Sequence, residues 1–256
     1  MQIPFSITRS AAAIAIFFAA LGSQVAMADP VKNVVLVHGF FADGSGWKAV
    51  SNILTKDGYK VSVVQEPETS FDEDVKATTR VIDEQDGPSI LVGHSYGGAV
   101  ITEAGNDAKV AGLVYVAAFQ PDTGESPLDL AKKTPSAAQS IKATADGHLF
   151  IDPAAFHQDF CADVPAAEAN FMAISQVTPS AQAFGVPIKQ AAWRNKPSWA
   201  VVATADRAIN PDLERFMTKR AGSTTVEINS SHVAYISHPA EVAKLIEQAA
   251  TKVSKQ

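Results

Sequence analysis

Residues Ser89-Ile90-Leu91-Val92-Gly93-His94-Ser95-Tyr96-Gly97-Gly98 constrain this chain more than any other stretch. Four residues suited to a buried strand run into a G-x-S-x-G turn, and small residues suited to a helix follow. In that strand-turn-helix pattern the serine sits at a strained turn. Side chains two positions either side would collide there, and Gly93 and Gly97 have none. The hydroxyl of Ser95 then projects from the sheet edge beside a helix N-terminus, whose free N–H groups favour negative charge. Such a place suits the making and holding of an oxyanion.

The rest of the mature chain alternates as a parallel sheet requires. Asn33–Val37 is an unbroken β-rich apolar run, expected for a strand covered on both faces. A glycine-bearing loop, residues 38–46, precedes helical spacing from Trp47 to Asp57 (Trp47, Val50, Ile53, Leu54). Lys60–Gln65 reads as a second strand. Ser70 and Glu73 form a capping-box signature for a helix to about Gln85, with Val75, Ala77, Val81 and Ile82 as its apolar positions. The elbow strand is third, with a helix to about Asn106, and Val110–Ala118 is fourth. Trp199–Thr204 and Thr224–Ile228 are the last two strands. Asn210-Pro211 caps the helix between them, and Pro239 opens a final amphipathic helix.

Alternation stops between about residues 120 and 196, where seven prolines break helical patches. These residues are expected to form a helical cap inserted into a single α/β domain spanning residues 29–256. The expected fold is therefore a mostly parallel sheet of about six strands, with helices on both faces and a cap.

At 256 residues, with 46% hydrophobic and 19% charged, the chain has enough apolar surface for a large core. A net charge of −6 without a Lys/Arg stripe speaks against nucleic acid or an anionic membrane as partner. Arg9, the apolar run Ala11–Leu21 and Ala26-Met27-Ala28 together read as a secretory signal peptide over residues 1–28. That run is shorter than the roughly 20 apolar residues that span a bilayer. The expectation is an exported protein, periplasmic or secreted, without stable membrane insertion. Cys161 is the only cysteine, so no intramolecular disulfide can form.

Serine is a poor nucleophile until a base accepts its proton, and histidine has the right unperturbed pKa for that role. The histidine in turn needs a carboxylate to fix its tautomer. Ser95, Asp206 and His232 occur in the order Ser…Asp…His, each where a strand ends. Asp122, after the fourth strand, is a rival acid, and His238 a rival base. His94 is expected in the core, and His38 is expected to bond loop backbone. His148 and His157 lack metal-ligand spacing, so neither a metal nor a cofactor is expected. The backbone N–H groups of Phe40 and Tyr96 are the candidate oxyanion donors.

Val37-His38-Gly39, Trp47, Gly93–Gly98, Ala117-Ala118-Phe119 through Gly124-Glu125-Ser126, Ala205-Asp206-Arg207 and Ser231-His232 resemble the α/β-hydrolase superfamily over roughly residues 33–250. Within it they are most similar to the esterase-like branch related to plant hydroxynitrile lyases and methyl esterases. The resemblance implies an eight-stranded plan shortened at its start. It also implies a cofactor-free serine hydrolase that takes a small-molecule ester and forms an acyl-enzyme on Ser95. Hydroxynitrile lyases of this branch carry lysine after the catalytic histidine, and here that residue is Val233. A lyase using the same residues and a non-catalytic small-ligand binder are the alternatives.

Overall fold

The computed structural model describes residues 1–2 and 31–253, so the expected leader, apart from its first two residues, lies outside the described residues. Strand β1 (Asn33–Val37) leads through a short 3-10 turn at Gly44–Trp47 into α1 (Lys48–Lys56) and then β2 (Lys60–Val63). Next come α2 (Phe71–Asp83), β3 (Ser89–Ser95), α3 (Gly97–Ala104) and β4 (Val110–Ala118). The chain between β4 and the next sheet strand forms α4 (Pro127–Lys133), a hairpin of β5 (Ile141–Ala143) and β6 (Leu149–Ile151), α5 (Pro153–Phe160), α6 (Ala166–Ser175) and α7 (Ala181–Phe184). It closes with β7 (Ser198–Ala203), α8 (Pro211–Ala221), β8 (Thr224–Ile228), α9 (Ala234–Ser237) and α10 (Pro239–Val253).

Six strands make one parallel sheet in the order β2-β1-β3-β4-β7-β8. The order explains how both faces are covered. Going from β1 to β2 the chain moves one way, and from β2 to β3 it moves the other. Right-handed crossovers therefore put α1 on one face and α2, α3 and α8 on the opposite one. Helix α10 packs on α1, and α3 packs on α2. The central strands are fully covered: Val34–Val37 and Ile90–Val92 are buried, whereas edge strand β8 exposes Thr224–Glu227. Each buried aliphatic side chain contributes on the order of 1.5–3 kcal/mol through removal from water.

Local chemistry sets the helix ends. Ser70 Oγ accepts from the Glu73 amide and starts α2, although Glu73 turns its own carboxylate to Lys76, so half of the expected capping box is made. A complete box forms at Ser126 and Asp129, opening α4. Three of the seven prolines of the insertion sit at helix starts: Pro127 and Pro153 open α4 and α5, and Pro165 occupies the N-cap of α6. The antiparallel hairpin β5–β6 is an addition to the mainly helical insertion that the sequence suggests. Its strands are three residues each, too short to show a period.

The carboxyl ends of β1 and β3, neighbours whose connections leave in opposite directions, form the crevice where such sheets place sites. The insertion folds over this edge, with Ser180 N–H bonding the Glu68 carbonyl and Ala138 N–H bonding the Arg207 carbonyl.

Candidate active site

Ser95 ends β3 at φ 52°, a left-handed backbone that a side chain tolerates only when its surroundings hold it. Three close approaches hold it. A Cβ on Gly93 would lie 2.5 Å from the Gly97 carbonyl oxygen, which is the collision expected from the sequence. A Cβ on Gly97 would lie 2.3 Å from the His38 carbonyl oxygen, so this glycine also admits the loop after β1. A Cβ on Gly39 would lie 2.6 Å from Ser95 Cβ and 3.2 Å from Tyr96 N. The loop bearing Phe40 is thus pressed against the elbow, and the rings of Phe40 and Tyr96 stack at 3.9 Å. On the other side β4 inserts Ala117, at φ 43°, so that Ser95 pairs with Ala118 while His94 pairs with Val116. The bulge bends β4 beside the elbow, and the Phe119 amide bonds the Ser95 carbonyl.

Asp206 and His232 meet. Both are buried, and His232 Nδ1–H donates to Asp206 Oδ2 at 2.6 Å. Asp206 Oδ1 accepts from the Ala208 and Ile209 amides at 2.7 and 2.9 Å, so the loop after β7 fixes the carboxylate plane. This bond places the proton on Nδ1 and leaves Nε2 as the basic edge. His94 is in the core as expected, and it does more than fill space. Its Nε2–H donates to the His232 carbonyl at 2.9 Å, and the two rings lie 4.6 Å apart. The elbow strand therefore reaches directly to the histidine loop. Burial, helped by His232, holds the His94 ring well below the usual imidazole range, so it is neutral.

Ser95 Oγ forms no hydrogen bond with the His232 ring among the described residues. Where a serine and a histidine serve as nucleophile and base, such a bond tightens when a substrate is held between them. The rival acid Asp122 faces away in a partly exposed pair with Arg194, whose guanidinium holds its carboxyl below the ordinary range. The rival base His238 bonds Ser237 Oγ at 2.9 Å, outside the elbow. Cys161 is buried, and burial pushes its thiol up to about 12, so it is not a thiolate near neutral pH.

Beneath the elbow lies a cluster that sequence reading did not find. The Tyr96 hydroxyl donates to Asp74 Oδ2 at 2.7 Å, and Asp74 Oδ1 accepts from the Glu68 amide at 2.7 Å. Glu66 and Glu68 are buried beside His38, whose Nδ1 is 3.9 Å from Glu66 Oε2 and 3.5 Å from Glu68 Oε1. Burial, with Asp74 and Glu68 as negative neighbours, pushes Glu66 well above the carboxylate range. Burial also carries Glu68 to about 7, against the pull of His38. The potential ligand atoms of His38, Glu66 and Glu68 lie within 4.8 Å of one another. A divalent cation nevertheless fits poorly. His38 Nε2 accepts from the Glu66 amide at 3.0 Å, so the ring proton occupies Nδ1, the edge a cation would need. The group suits held protons instead, and the expected bond from His38 to loop backbone runs from Nδ1–H to the Gly39 carbonyl at 3.2 Å.

Glu214 is a second hidden acid. It lies on the buried stripe of α8 with Leu213, Met217 and Thr218, and its Oε2 accepts from the Ala203 amide. Burial, with Asp206 as a negative neighbour, raises it well above the carboxylate range, so it is neutral. An acid within an apolar helix stripe was the available signal.

The site is lined by rings. Phe40 and Phe119 both contact Phe184 of the insertion, and Phe160 lies 5.1 Å from the His232 ring. An open groove of about 640 Å³ runs beyond Phe41, along Met172 and Tyr235, and touches neither Ser95 nor His232.

A strand-elbow-helix under an inserted cap, with a buried Asp–His pair beside it, defines an α/β-hydrolase architecture. A family model for the alpha/beta hydrolase family matches residues 34–245, and the chain belongs to that family. The chain is 27% identical over 242 residues to a pyrethroid hydrolase of Sphingobium wenxiniae, covering 84% of this chain and 86% of that protein. It is 36% identical over 118 residues to a carbendazim hydrolyzing esterase of Nocardioides sp., covering 40% of this chain and 48% of that one. Among solved structures, a pyrethroid hydrolase from Sphingobium faniae superposes with TM-score 0.75 at 25% identity, covering 86% of this chain and 97% of that one. An extracellular α/β-hydrolase from a Paenibacillus species superposes at 0.74 with 21% identity, covering 85% and 98%, a likeness of fold. Among the described residues no helix is long and apolar enough to cross a membrane.

Proposed function

We propose that this chain is a serine hydrolase that cleaves small or medium carboxylic esters through an acyl-enzyme on Ser95. The observation that carries this reading is the buried 2.6 Å bond between His232 Nδ1 and Asp206, beside a serine held at φ 52°. His232 Nε2 takes the Ser95 proton as Oγ attacks the ester carbonyl. Asp206 fixes the tautomer and stabilises the imidazolium. The Phe40 and Tyr96 amides, brought together by the close approach of Gly39, take the oxyanion. His232 then protonates the departing alcohol, and the same base activates the water that releases the acid. The rings of Phe40, Phe119, Phe160 and Phe184 favour esters with apolar groups. The relatives named for ester and pyrethroid hydrolysis support the same class of substrate.

Val233, buried after His232, brings no ammonium group to the base, which favours hydrolysis over lyase chemistry. The composition of residues 9–28 supports action outside the cytoplasm, and intact-mass analysis of exported protein should show loss of residues 1–28. Turnover of p-nitrophenyl esters of graded acyl length tests the reading. Hydrolysis that vanishes in Ser95→Ala is expected, and equal hydrolysis by the folded variant would refute it.

A further inference from the structure

A five-residue segment of the insertion, Asp159–Asp163, reaches both loops that supply Asp206 and His232, through Asp159, Phe160 and Asp163. Asp159 Oδ1 accepts from Arg207 Nε at 2.9 Å, and Arg207 follows Asp206 directly. Phe160 packs its ring 5.1 Å from that of His232 and 6.5 Å from that of His94. Asp163 accepts from both the amide and the hydroxyl of Ser231, which precedes His232 directly; the amide bond measures 3.0 Å.

The segment is itself braced. Asp159 Oδ2 takes a second bond from Ser140 Oγ at 2.7 Å. His157 Nε2 bonds the Val164 carbonyl at 2.9 Å, the Cys161 amide bonds the His157 carbonyl, and Cys161 is buried between the two aspartates. Burial pushes Asp163 upward, but the Ser231 hydroxyl and amide outweigh it and hold the carboxyl below its ordinary range, so it is an anion at neutral pH.

We propose that Asp159–Asp163 is a clamp built into the cap that positions the Asp206–His232 pair. Asp159 grips the acid loop, Asp163 grips the histidine loop, and Phe160 sets the face of the imidazole. The inference rests on the serine-hydrolase reading for its effect on turnover, and on the contacts above for its effect on geometry. These are positioning residues, because they act through Arg207, Ser231 and the ring of His232.

The geometry has a consequence for catalysis. The Asp206–His232 bond joins two loops that follow different strands, β7 and β8, so its length depends on how those loops sit against each other. A segment bonded to both fixes that relation, and it belongs to the same insertion that supplies Phe184 to the site. Seating of the cap and alignment of the base are thereby one event.

The test compares Asp163→Ala, Asp163→Asn and Asp159→Asn with Lys142→Ala, which removes a surface ion pair of the same insertion. Three readouts apply: kcat and KM on a p-nitrophenyl ester, labelling of Ser95 by a fluorophosphonate, and the proton NMR resonance of the His232 Nδ1–H. Asp163→Ala is expected to lower kcat about 10- to 100-fold, as small misplacement of reacting groups does, with KM within about twofold. It should also broaden or shift the Nδ1–H resonance while the variant still unfolds cooperatively. Asp163→Asn, which keeps one acceptor, should recover part of the loss, and Asp159→Asn should show the same kind of defect. Lys142→Ala should change none of the three.

Unchanged kcat and resonance in folded Asp163→Ala would overturn the clamp. So would a Lys142→Ala defect of equal size, which would mean that any loosening of the cap suffices. Should Asp163→Ala fail to fold, Asp163→Asn and Asp159→Asn carry the test unaltered. Absence of turnover and Ser95 labelling in the unmodified protein would refute the hydrolase reading instead, and the resonance would still decide the clamp.

Discussion

Ser95 and the Asp206–His232 pair lie side by side but are held by different forces. The serine is fixed by sterics within the sheet: Gly39, Gly93 and Gly97 let three backbone segments pack where no Cβ fits, and the Ala117 bulge completes the socket. The pair is fixed by directional bonds, from the Ala208 and Ile209 amides to Asp206 and from the Ser231 amide, just before His232, to Asp163. A steric socket tolerates no intermediate state, whereas a bonded loop loosens by degrees. Damage to the first should therefore appear as lost folding, and damage to the second as lost turnover.

The largest expected effect falls on the bonded side. Asp206→Asn keeps the shape but favours the wrong imidazole tautomer, a change that costs a serine protease about 10⁴-fold in kcat. A loss of that order is expected in ester turnover with little change in melting temperature. Asp122→Asn, which breaks only the Arg194 pair, should stay within about twofold. A larger kcat loss in Asp122→Asn than in Asp206→Asn would reverse the assignment of the acid.

The socket makes the opposite prediction. Gly97→Ala drives a methyl group to 2.3 Å from the His38 carbonyl oxygen, so backbone must move. Urea unfolding should show a loss of about 3 kcal/mol or more, at the upper end for overpacking. A variant of normal stability with lost activity would erase the contrast between the two regions.

This contrast also explains what could be read in advance. The centre of the socket is written in adjacent residues, so Gly93–Gly97 and the preceding apolar strand announce the elbow, whereas the parts played by Gly39 and Ala117 are not announced. The bounds Asn33–Val37, Val110–Ala118 and Thr224–Ile228 likewise follow from continuous β-rich runs. Bonds between distant residues leave no such trace. Asp163 and Ser231 are 68 positions apart, and Asp74 and Tyr96 are 22 apart. Asp74 even looks like an ordinary acid in the first turn of α2, where it is expected on dipole grounds. The hairpin β5–β6 is hidden by the brevity of its strands, whereas Glu214 is signalled by its place on the buried stripe of α8.

The elbow side also carries the buried acids Glu66, Glu68 and Asp74, and Glu68 sharpens the comparison. Glu68 is raised from its ordinary 4.5 to about 7 by burial, so it binds its proton more tightly folded than unfolded. Its contribution to stability is complete below about pH 4.5 and is lost as pH rises through 7. That loss is on the order of 1–3 kcal/mol. Glu68→Gln should flatten the decline in unfolding free energy between pH 4.5 and 7. An unchanged slope would show that the carboxyl ionises without cost. The smallest effect is expected at Glu214→Gln, which replaces a neutral acid by a neutral amide of the same size and should change stability by about 1 kcal/mol or less. A loss of several kcal/mol would mean that Glu214 is charged behind Asp206.

Mass mapping of the phosphonylated site after brief exposure to a fluorophosphonate tests the central claim most directly. A single adduct on the peptide containing Ser95, abolished in Ser95→Ala and strongly slowed in Asp206→Asn, is the predicted result. An adduct on another residue, or labelling that persists in folded Ser95→Ala, would contradict it.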